Sequence, residues 1–280
     1  MARPIRVEYE GGFYHVTSRG NAQQDVFVDE QDYSTFLRIL SEAVERHRWL
    51  LHAYCLMRNH YHLLVETPQG NLSRGMRHVN GVYAQRFNLR HDRDGHLFQS
   101  RYKSFLVEKD NYLLELSRYI VLNPVRAGVA HSPDQWPWSS YRVTAGLGSE
   151  VGFVYTDSLL ASFSSSKQRA RRLYVSFVQE GMGGRSPLEE ARGGFILGGE
   201  DFLLTVRDLL EQAGGPESIR REKYAARPSL QVLFGTGKRN EAIHEAVCRW
   251  GYKLREVGDY LSLHYSRVSR IAAMMAKSKT

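Results

Sequence analysis

Two histidines separated by one residue, His60 and His62, are the side chains of this sequence best suited to chemistry. A β-strand sends alternate side chains to opposite faces, so both imidazoles would point one way and Tyr61 the other. The apolar run at 63–65 is typical of a buried strand. Two imidazoles on one face predict a pair of metal ligands. The same spacing fits two ordinary histidines beside a sheet, because short motifs often match by chance.

Six elements before residue 108 would position this pair. Strands are predicted at 12–19, 49–56, 60–66 and 101–107, and helices at 29–48 and 71–89, the second capped by Asn71. Residues 57–59 form a short turn, so the second and third strands should pair as a hairpin. The order βαββαβ predicts an α+β fold with a ferredoxin-like antiparallel sheet. Its helices would cover one face and leave the other available for a ligand.

A third helix is predicted from Asp110, a good N-cap, to the residue before Pro124, which restricts the backbone in front of it. Its side chains divide between two faces. The apolar face contains Leu113, Leu116 and Ile120. The polar stripe contains Tyr112, Glu115, Tyr119 and Asn123.

The length of 280 residues predicts two domains. An aromatic segment at 134–141 would close the first domain, and the Gly- and Ser-containing residues 146–149 place its end near residue 150. The second domain, 151–280, is predicted to be mostly helical, with helices at 167–180 and 201–212 separated by glycine-rich breaks.

Residues 254–275 have the pattern of a helix, a tight turn and a second helix. Small Gly258 would lie where the helices approach, and Ser262 occupies the turn position where glycine is common. The predicted buried seam consists of Val257, Leu261, Leu263, Val268 and Ile271. The side chains predicted to face a DNA groove are His264, Tyr265, Ser266, Ser269 and Arg270. The alternative is a plain αα-hairpin packed on the rest of the protein.

The formal net charge of +8 indicates a polyanionic partner, and nucleic acid is the leading candidate. The sequence lacks an apolar stretch of about 18 residues that could span a bilayer. Its first residues lack the apolar core of a secretory signal. A cytoplasmic protein without a membrane partner is therefore expected. Cys55 and Cys248 lie far apart, which argues against a disulfide framework and a cysteine-based zinc site.

Three separated blocks carry a family resemblance. They are His60-Tyr61-His62, residues 95–103 (GHLFQSRYK) and residues 118–128 (RYIVLNPVRAG). In this order they resemble the single-tyrosine HUH transposases, and within that group the REP-associated tyrosine transposases, or RAYTs. The resemblance covers about residues 1–145. The C-terminal helix-turn-helix pattern resembles, more weakly, the DNA-binding end of replication-initiator proteins of the DnaA kind.

The resemblance implies that His60 and His62 bind a divalent metal ion, Mg²⁺ or Mn²⁺, with Asn123 as third ligand and Tyr119 as nucleophile. Two imidazoles and an amide oxygen leave open positions on such an ion for a phosphate. A tyrosine hydroxyl has a reference pKa of about 10 and needs help to lose its proton. Tyr112, on the same stripe, is the alternative nucleophile. Related transposases commonly have glutamine at the third ligand position, whereas asparagine is usual in RAYTs.

An enzyme of this kind would cut and rejoin single-stranded DNA at hairpins through a 5′-phosphotyrosine. Members of the family commonly act as dimers, although RAYTs do so less uniformly, so a homodimer is an open alternative. Basic side chains around the sheet are expected to pair with phosphates, and interleaved aromatic side chains to stack on bases. These residues are Arg58, Arg74, Arg77, Arg86, Arg101, Lys103, Tyr83, Phe87, Phe98 and Tyr102.

Two other functions are compatible with the sequence. The protein could be a regulator that uses the helix-turn-helix and a retained transposase-like domain to bind DNA without chemistry. It could also bind RNA through the ferredoxin-like sheet, although its strands lack the aromatic signature of RNA-binding domains. The presence of Tyr119 and both histidines favours the enzyme.

Overall fold

The computed structural model describes residues 7–149, 151–191, 195–212, 227–235 and 237–277. The chain divides into two compact units, one formed by residues 8–191 and the other by residues 192–280 with 1–7. The first unit is built around an antiparallel sheet, and the second is mostly helical.

Four strands and two helices of the first unit follow the predicted order βαββαβ. The strands lie in the order β2, β3, β1, β4, and each neighbouring pair is antiparallel. This is the ferredoxin-like arrangement, and the predicted α+β class is confirmed. The elements are β1 (Gly12–Arg19), α1 (Glu30–His47), β2 (Leu50–Met57), β3 (His60–Thr67), α2 (Leu72–Arg90) and β4 (Lys103–Val107).

Helices α1 and α2 cover one face of the sheet with aromatic side chains. Tyr61 turns to this face, where its ring packs 4.8 Å from Phe36 and its hydroxyl donates to Asn80 Oδ1 at 2.5 Å. Phe36 also packs edge-on against Tyr83 of α2, with 5.0 Å between ring centroids. Each of these rings buries a large apolar area, so this face forms the main core of the unit.

The opposite face is partly covered, whereas the sequence predicted it to be available for a ligand. Helix α3 (Lys109–Val121) contacts β2 and β3 there, and its predicted apolar residues Leu113, Leu116 and Ile120 are buried. The ammonium group of Lys109 donates to Glu66 Oε2 at 2.7 Å, which ties the start of α3 to β3. The helical turn α4 (Asn123–Arg126) follows directly. The remainder of this face borders a cavity.

Two predicted helix caps were wrong. Asn71 precedes α2 but accepts a hydrogen bond from the Trp49 indole at 2.7 Å instead of capping the helix. The carboxylate of Glu8 accepts from Ser73 N at 3.1 Å and takes over that role. Helix α3 begins at Lys109 after Glu108, one residue before the predicted cap at Asp110.

The aromatic segment at 134–141 packs on the sheet edge, and its role in closing the first domain stays a prediction. The Trp138 ring stacks 4.5 Å from Tyr33, and the Trp136 indole donates to the Leu56 carbonyl at 2.9 Å. The compact unit continues past residue 150 to Ala191, and Tyr155 N donates to the β2 carbonyl of Leu51 at 2.7 Å. The functional boundary near residue 150 stays a prediction. The later helices of this unit are α5 (Tyr141–Ala145), α6 (Asp157–Ala161) and α7 (Lys167–Glu180).

The second unit has a helical core of its own. Its buried cluster includes Ile243, Trp250, Val257 and Val268. A two-residue strand, Ile196–Leu197, precedes the helices, and Glu245–Arg249 continues α10 as a π-helical turn. The described helices are α8 (Glu200–Gln212), α9 (Leu230–Phe234), α10 (Arg239–His244), α11 (Leu254–Leu261) and α12 (Tyr265–Lys277).

Helices α11 and α12 meet as the sequence pattern predicts. Val257 and Val268 are fully buried, and Leu261, Leu263 and Ile271 pack against them. A Cβ at Gly258 would lie 2.6 Å from the carbonyl oxygen of residue 263, so a glycine is required at this approach. The turn residue, at position 262, has φ 54°, the left-handed conformation in which glycine is common.

No helix among the described residues is both long and apolar enough to cross a membrane.

The two glycines of α2 give a test of this packing. A Cβ at Gly75 would lie 2.0 Å from the Trp49 indole, whereas a Cβ at Gly81 would meet nothing within 4 Å. Gly75→Ala should lower the free energy of unfolding by about 1–3 kcal/mol through overpacking. Gly81→Ala, on the same helix, should raise it by about 0.5–1 kcal/mol because alanine loses less backbone entropy. Urea unfolding followed by tryptophan fluorescence measures both, and equal effects would contradict the packing described.

Candidate active site

Strand β3 presents His60 and His62 on the same face of the sheet, as the alternation predicts. Their ring centroids lie 5.0 Å apart, with the rings at 86°. His62 is buried and His60, at the start of the strand, is half-buried. The two imidazoles therefore lie together on the face opposite Tyr61.

Both rings line a cavity of about 590 Å³, called the histidine cavity here. Its walls come from β1, β3, β4, the segment 99–101 and the helices α3 and α4. The cavity brings together the four residues for which the sequence predicts metal binding or nucleophilic attack. Its lining includes His15, Arg19, His60, His62, Arg101, Lys103, Tyr119, Asn123 and Arg126.

Helix α3 carries Tyr119 to the histidines. Its ring centroid lies 6.1 Å from that of His62, with the rings at 81°, so the two meet edge to face. The Arg126 guanidinium lies 5.1 Å from the centroid of the Tyr119 ring. Because Leu116 and Ile120 hold α3 on the sheet, the phenol is placed beside the imidazoles by packing.

The alternative nucleophile, Tyr112, lies in a different environment. It lines a second cavity of about 330 Å³, on the side of α3 that contacts residues 181–190. Its hydroxyl donates to Glu190 Oε2 at 3.1 Å. Tyr119 lines both cavities, so it is the stripe tyrosine that adjoins the histidines.

Asn123 does not continue α3, although the sequence placed it on that helix. It is the first residue of α4, and its amide nitrogen donates to the carbonyl oxygens of Tyr119 at 3.0 Å and Ile120 at 3.2 Å. Since the amide nitrogen caps the end of α3, the side-chain oxygen Oδ1 is the atom left for a ligand. Asn123 lines the histidine cavity together with Tyr119.

The charge around the histidine cavity is positive. Four basic side chains and no carboxylate occur among its described lining residues. The basic residues are Arg19, Arg101, Lys103 and Arg126. A cavity with this lining attracts anions, because clustered positive charge in a concave site raises the local anion concentration.

The histidines of the cavity are uncharged at neutral pH. Burial, with a smaller contribution from Arg19, lowers the pKa of His60 to about 4. Burial, and then the neighbouring His15 and His60, holds the pKa of His62 well below its usual range. Neutral imidazole is the form that binds metal ions.

The proton position on His60 follows from its neighbours. The Asn59 side-chain nitrogen donates to the Gln23 carbonyl at 3.3 Å, which turns the Asn59 oxygen Oδ1 toward His60. That oxygen accepts from His60 Nδ1 at 2.6 Å. Because Nδ1 then carries the proton, Nε2 of His60 keeps a free lone pair, as a metal ligand requires.

These donors fit a divalent ion. His60 and His62 would supply imidazole nitrogens, and Asn123 an amide oxygen, all from one cavity. The described residues contain no group of three or more His, Cys, Asp or Glu side chains that could hold a metal ion. A site with so few protein ligands leaves positions open for the oxygens of a substrate phosphate.

His15 is a cavity residue that the sequence did not predict. His15 lies on β1, is fully buried, and its Nε2 is 2.9 Å from His62 Nδ1. The two rings stack with 5.1 Å between centroids. Strand alternation puts His15 and Thr17 on one face, but only the pairing of Thr17 with His62 shows that this is the histidine face. The sequence also did not predict Arg19 and Arg126 as cavity residues, because they reach the cavity from separate elements.

The predicted DNA-contacting residues of the first unit divide into three groups. Arg101 and Lys103 line the histidine cavity, and exposed Arg58 lines a neighbouring cavity with His60. Arg74, Arg77 and Arg86 form the third group and are exposed on α2, the helix that covers the opposite face of the sheet.

The aromatic side chains predicted to stack on bases are mostly core residues. Tyr102 is 6% exposed, and its hydroxyl shares a hydrogen bond of 3.0 Å with Ser73 Oγ on α2, so its side chain belongs to the core and its DNA contact stays a prediction. Tyr83 and Phe87 are buried against α1 and the sheet. Phe98 is half-buried.

In the second unit, the predicted DNA-facing side chains lie at the start of α12. His264, Tyr265, Ser269 and Arg270 are exposed, and Ser266 is half-buried. His264 Nδ1 lies 2.8 Å from Ser266 Oγ, which orders the turn before the helix. The structure places these side chains on one accessible end of α12, and their contact with DNA stays a prediction.

Comparison with protein families matches residues 9–123 to the family described as "Transposase IS200 like". The matched range contains His60, His62, Tyr119 and Asn123. Comparison with curated proteins gave no match.

This chain is also similar to two solved structures of other proteins. One is described as "Structure of the REP associates tyrosine transposase bound to a REP hairpin"; the identity is 18%, the TM-score 0.45, and the match covers 54% of this chain and 90% of that one. The other is a putative transposase from Deinococcus radiodurans R1, with 21% identity, a TM-score of 0.31, and coverage of 42% and 95%.

The buried imidazole of His15 should make stability depend on pH. Burial lowers its pKa from 6.5 to about 3. When the pH is lowered from 7 to 5, the unfolded chain therefore takes up a proton at this position and the folded chain does not, so the free energy of unfolding decreases. His15→Gln removes this group, and its free energy of unfolding should decrease by about 2 kcal/mol less than that of the wild type between pH 7 and pH 5. Urea unfolding at pH 7, 6 and 5 measures the difference, and parallel pH profiles would refute it.

Proposed function

We propose that this chain, whose residues 9–123 match the family described as "Transposase IS200 like", cleaves and rejoins single-stranded DNA by a metal-dependent reaction with Tyr119 as nucleophile. One observation carries the proposal. The Tyr119 phenol lies edge to face with His62 on a cavity that also contains His60, Asn123 and four basic side chains. Nucleophile, candidate metal ligands and phosphate-binding groups therefore come from one cavity of one chain.

The chemistry proposed is a transesterification. The deprotonated oxygen of Tyr119 attacks phosphorus, the bond from phosphorus to the 3′ oxygen breaks, and that oxygen takes up a proton as a free 3′-hydroxyl. The 5′ phosphate stays on the tyrosine as a phosphodiester. Because one phosphodiester replaces another, the reverse attack by a 3′-hydroxyl can rejoin strands without ATP.

A divalent ion held by His60, His62 and the Asn123 oxygen would supply Lewis-acid stabilisation of the charge on the phosphate. The protein's own contribution is to keep the two imidazoles neutral and to fix the His60 tautomer through Asn59. The amide nitrogen of Asn123 holds the last turn of α3 and so restrains Tyr119.

The basic lining supports a nucleic-acid substrate. Lys103 lines the cavity from β4, Arg101 from the segment before it, and Arg126 from α4, where its guanidinium lies 5.1 Å from the centroid of the Tyr119 ring. Cations from several elements around the proposed nucleophile fit a phosphodiester chain that extends beyond the scissile phosphate. A stiff duplex cannot enter the cavity to reach Tyr119 as a flexible single strand can, so we infer that the strand is single at the cleavage point and that the double-stranded part of a hairpin lies outside the cavity.

A regulator that binds DNA without chemistry is the second candidate, and the exposed end of α12 favours it. His264, Tyr265 and Arg270 give that end of the helix the donors and the charge that a DNA groove requires. This function is compatible with the first, since the second unit could hold DNA for the first to cut. Only chemistry at Tyr119 distinguishes an enzyme from a regulator.

The covalent intermediate is the decisive observation. Wild-type protein incubated with Mn²⁺ and end-labelled hairpin DNA should form a protein–DNA adduct that survives denaturation on a gel. Tyr119→Phe lacks the nucleophilic oxygen and should form none. Tyr112→Phe is the matched control, because it removes a phenol from the same helix outside the histidine cavity, and it should retain the adduct. An adduct in Tyr119→Phe, or its loss in Tyr112→Phe alone, would reject Tyr119 as nucleophile.

Two neighbouring residues test the DNA path. Arg101 lines the histidine cavity, whereas the hydroxyl of Tyr102 is bonded to Ser73 on the other side of the sheet. Arg101→Ala should weaken binding of single-stranded hairpin DNA and reduce the slope of log affinity against log salt by about 1, as expected for one lost phosphate contact. Tyr102→Phe should change neither quantity. Fluorescence anisotropy at several salt concentrations measures the affinity and its salt dependence. A larger effect of Tyr102→Phe than of Arg101→Ala would contradict a DNA path through the histidine cavity and place the DNA on the face covered by α2.

A further inference from the structure

His15 is a fully buried polar residue of the histidine cavity to which the proposed reaction assigns no role. It is fully buried on β1, with its ring between His62 and Phe105 at centroid distances of 5.1 and 5.6 Å. Its Nε2 lies 2.9 Å from His62 Nδ1, and its own Nδ1 has no hydrogen-bond partner. A buried imidazole that leaves one nitrogen unpaired costs stability, so this placement calls for a compensating role.

The contact between the two rings permits only two proton arrangements. In the first, His62 carries its proton on Nδ1 and donates to His15 Nε2. In the second, His15 donates from Nε2 to His62 Nδ1, and the proton of His62 is then on Nε2. Only the first leaves the His62 Nε2 lone pair free, because a neutral imidazole has one donor and one acceptor nitrogen.

The charges of the cavity favour the first arrangement. Arg19, Arg101, Lys103 and Arg126 line the space beside His62, and no described carboxylate faces them there. In a cavity lined by four cations, a free lone pair on His62 Nε2 is electrostatically favourable, whereas an N–H there is not. Asn59 imposes the same arrangement on His60, whose Nδ1 proton it accepts.

We infer that His15 is a positioning residue for His62: its Nε2 accepts the His62 Nδ1 proton and thereby holds the ring with Nε2 presented as a metal ligand. The inference rests on the proposed function for the identity of the ligand atoms. It extends that function to a residue from another strand, which does for His62 what Asn59 does for His60. Partners of this kind orient metal-binding imidazoles, and their loss typically weakens metal affinity about 10- to 100-fold.

The tautomer itself can be measured without metal or DNA. Imidazole ¹⁵N NMR of the wild-type protein at pH 7, with the His62 signals assigned by their absence in His62→Gln, should show His62 protonated on Nδ1. Protonation on Nε2 would overturn the inference. Because this measurement needs no cleavage, it is decided separately from the covalent adduct, whose absence would reject the proposed function and not the role of His15.

Variants of His15 test the consequence for metal binding. His15→Leu removes the acceptor, and its Mn²⁺ affinity, measured by electron paramagnetic resonance of the free ion, should fall about 10- to 100-fold. His15→Gln retains an oxygen acceptor and should restore most of the affinity. His47→Leu is the control for loss of a buried histidine, since His47 lies at the end of α1 outside the histidine cavity. Affinity for Mn²⁺ unchanged in folded His15→Leu, or lowered equally in His47→Leu, would overturn the inference.

Discussion

The antiparallel register of β1 against β3 is the constraint on which the rest of the site depends. It pairs Thr17 with His62 and Arg19 with His60, so the side chains of two distant segments meet on one face. A slip of one residue would turn the histidines into the aromatic core beneath α1 and α2 and bring Tyr61 to the cavity. That core makes such a slip costly, because Tyr61 is fully buried there and bonded to Asn80. The packing of one face thus sets the chemistry of the other.

The second requirement is that the proposed nucleophile, Tyr119, reach the histidines from an element outside the sheet. Helix α3 satisfies it by burying Leu113, Leu116 and Ile120 on the histidine face and leaving Tyr119 at the edge of the cavity. The salt bridge from Lys109 to Glu66 fixes one end of the helix, and the Asn123 amide holds the other. Burial that stabilises the unit and placement of the phenol are therefore the same interaction, which links stability to the proposed activity.

The sequence predicts what depends on local periodicity and fails where tertiary pairing decides. Alternation along one strand suffices to place His60 and His62 together, and helical spacing suffices to group Tyr119 with Tyr112 and Glu115 on one stripe. The role of His15 could not be predicted, because it depends on which strand pairs with β3 and in which register. Tyr102 was assigned to DNA from its basic neighbours, although it packs against α2 while Lys103 lines the cavity. Asn123 was placed on α3 because Pro124 was the only end signal in the sequence, whereas the helix already ends at Val121.

Anomalous scattering from crystals of the protein soaked with Mn²⁺ would locate the bound ion. We expect one ion in the histidine cavity, about 2 Å from Nε2 of both His60 and His62, with the Tyr119 hydroxyl directed toward it. An ion bound through Nδ1 of either histidine, an ion bound elsewhere, or a Tyr119 hydroxyl directed away from an ion at this position would contradict this expectation.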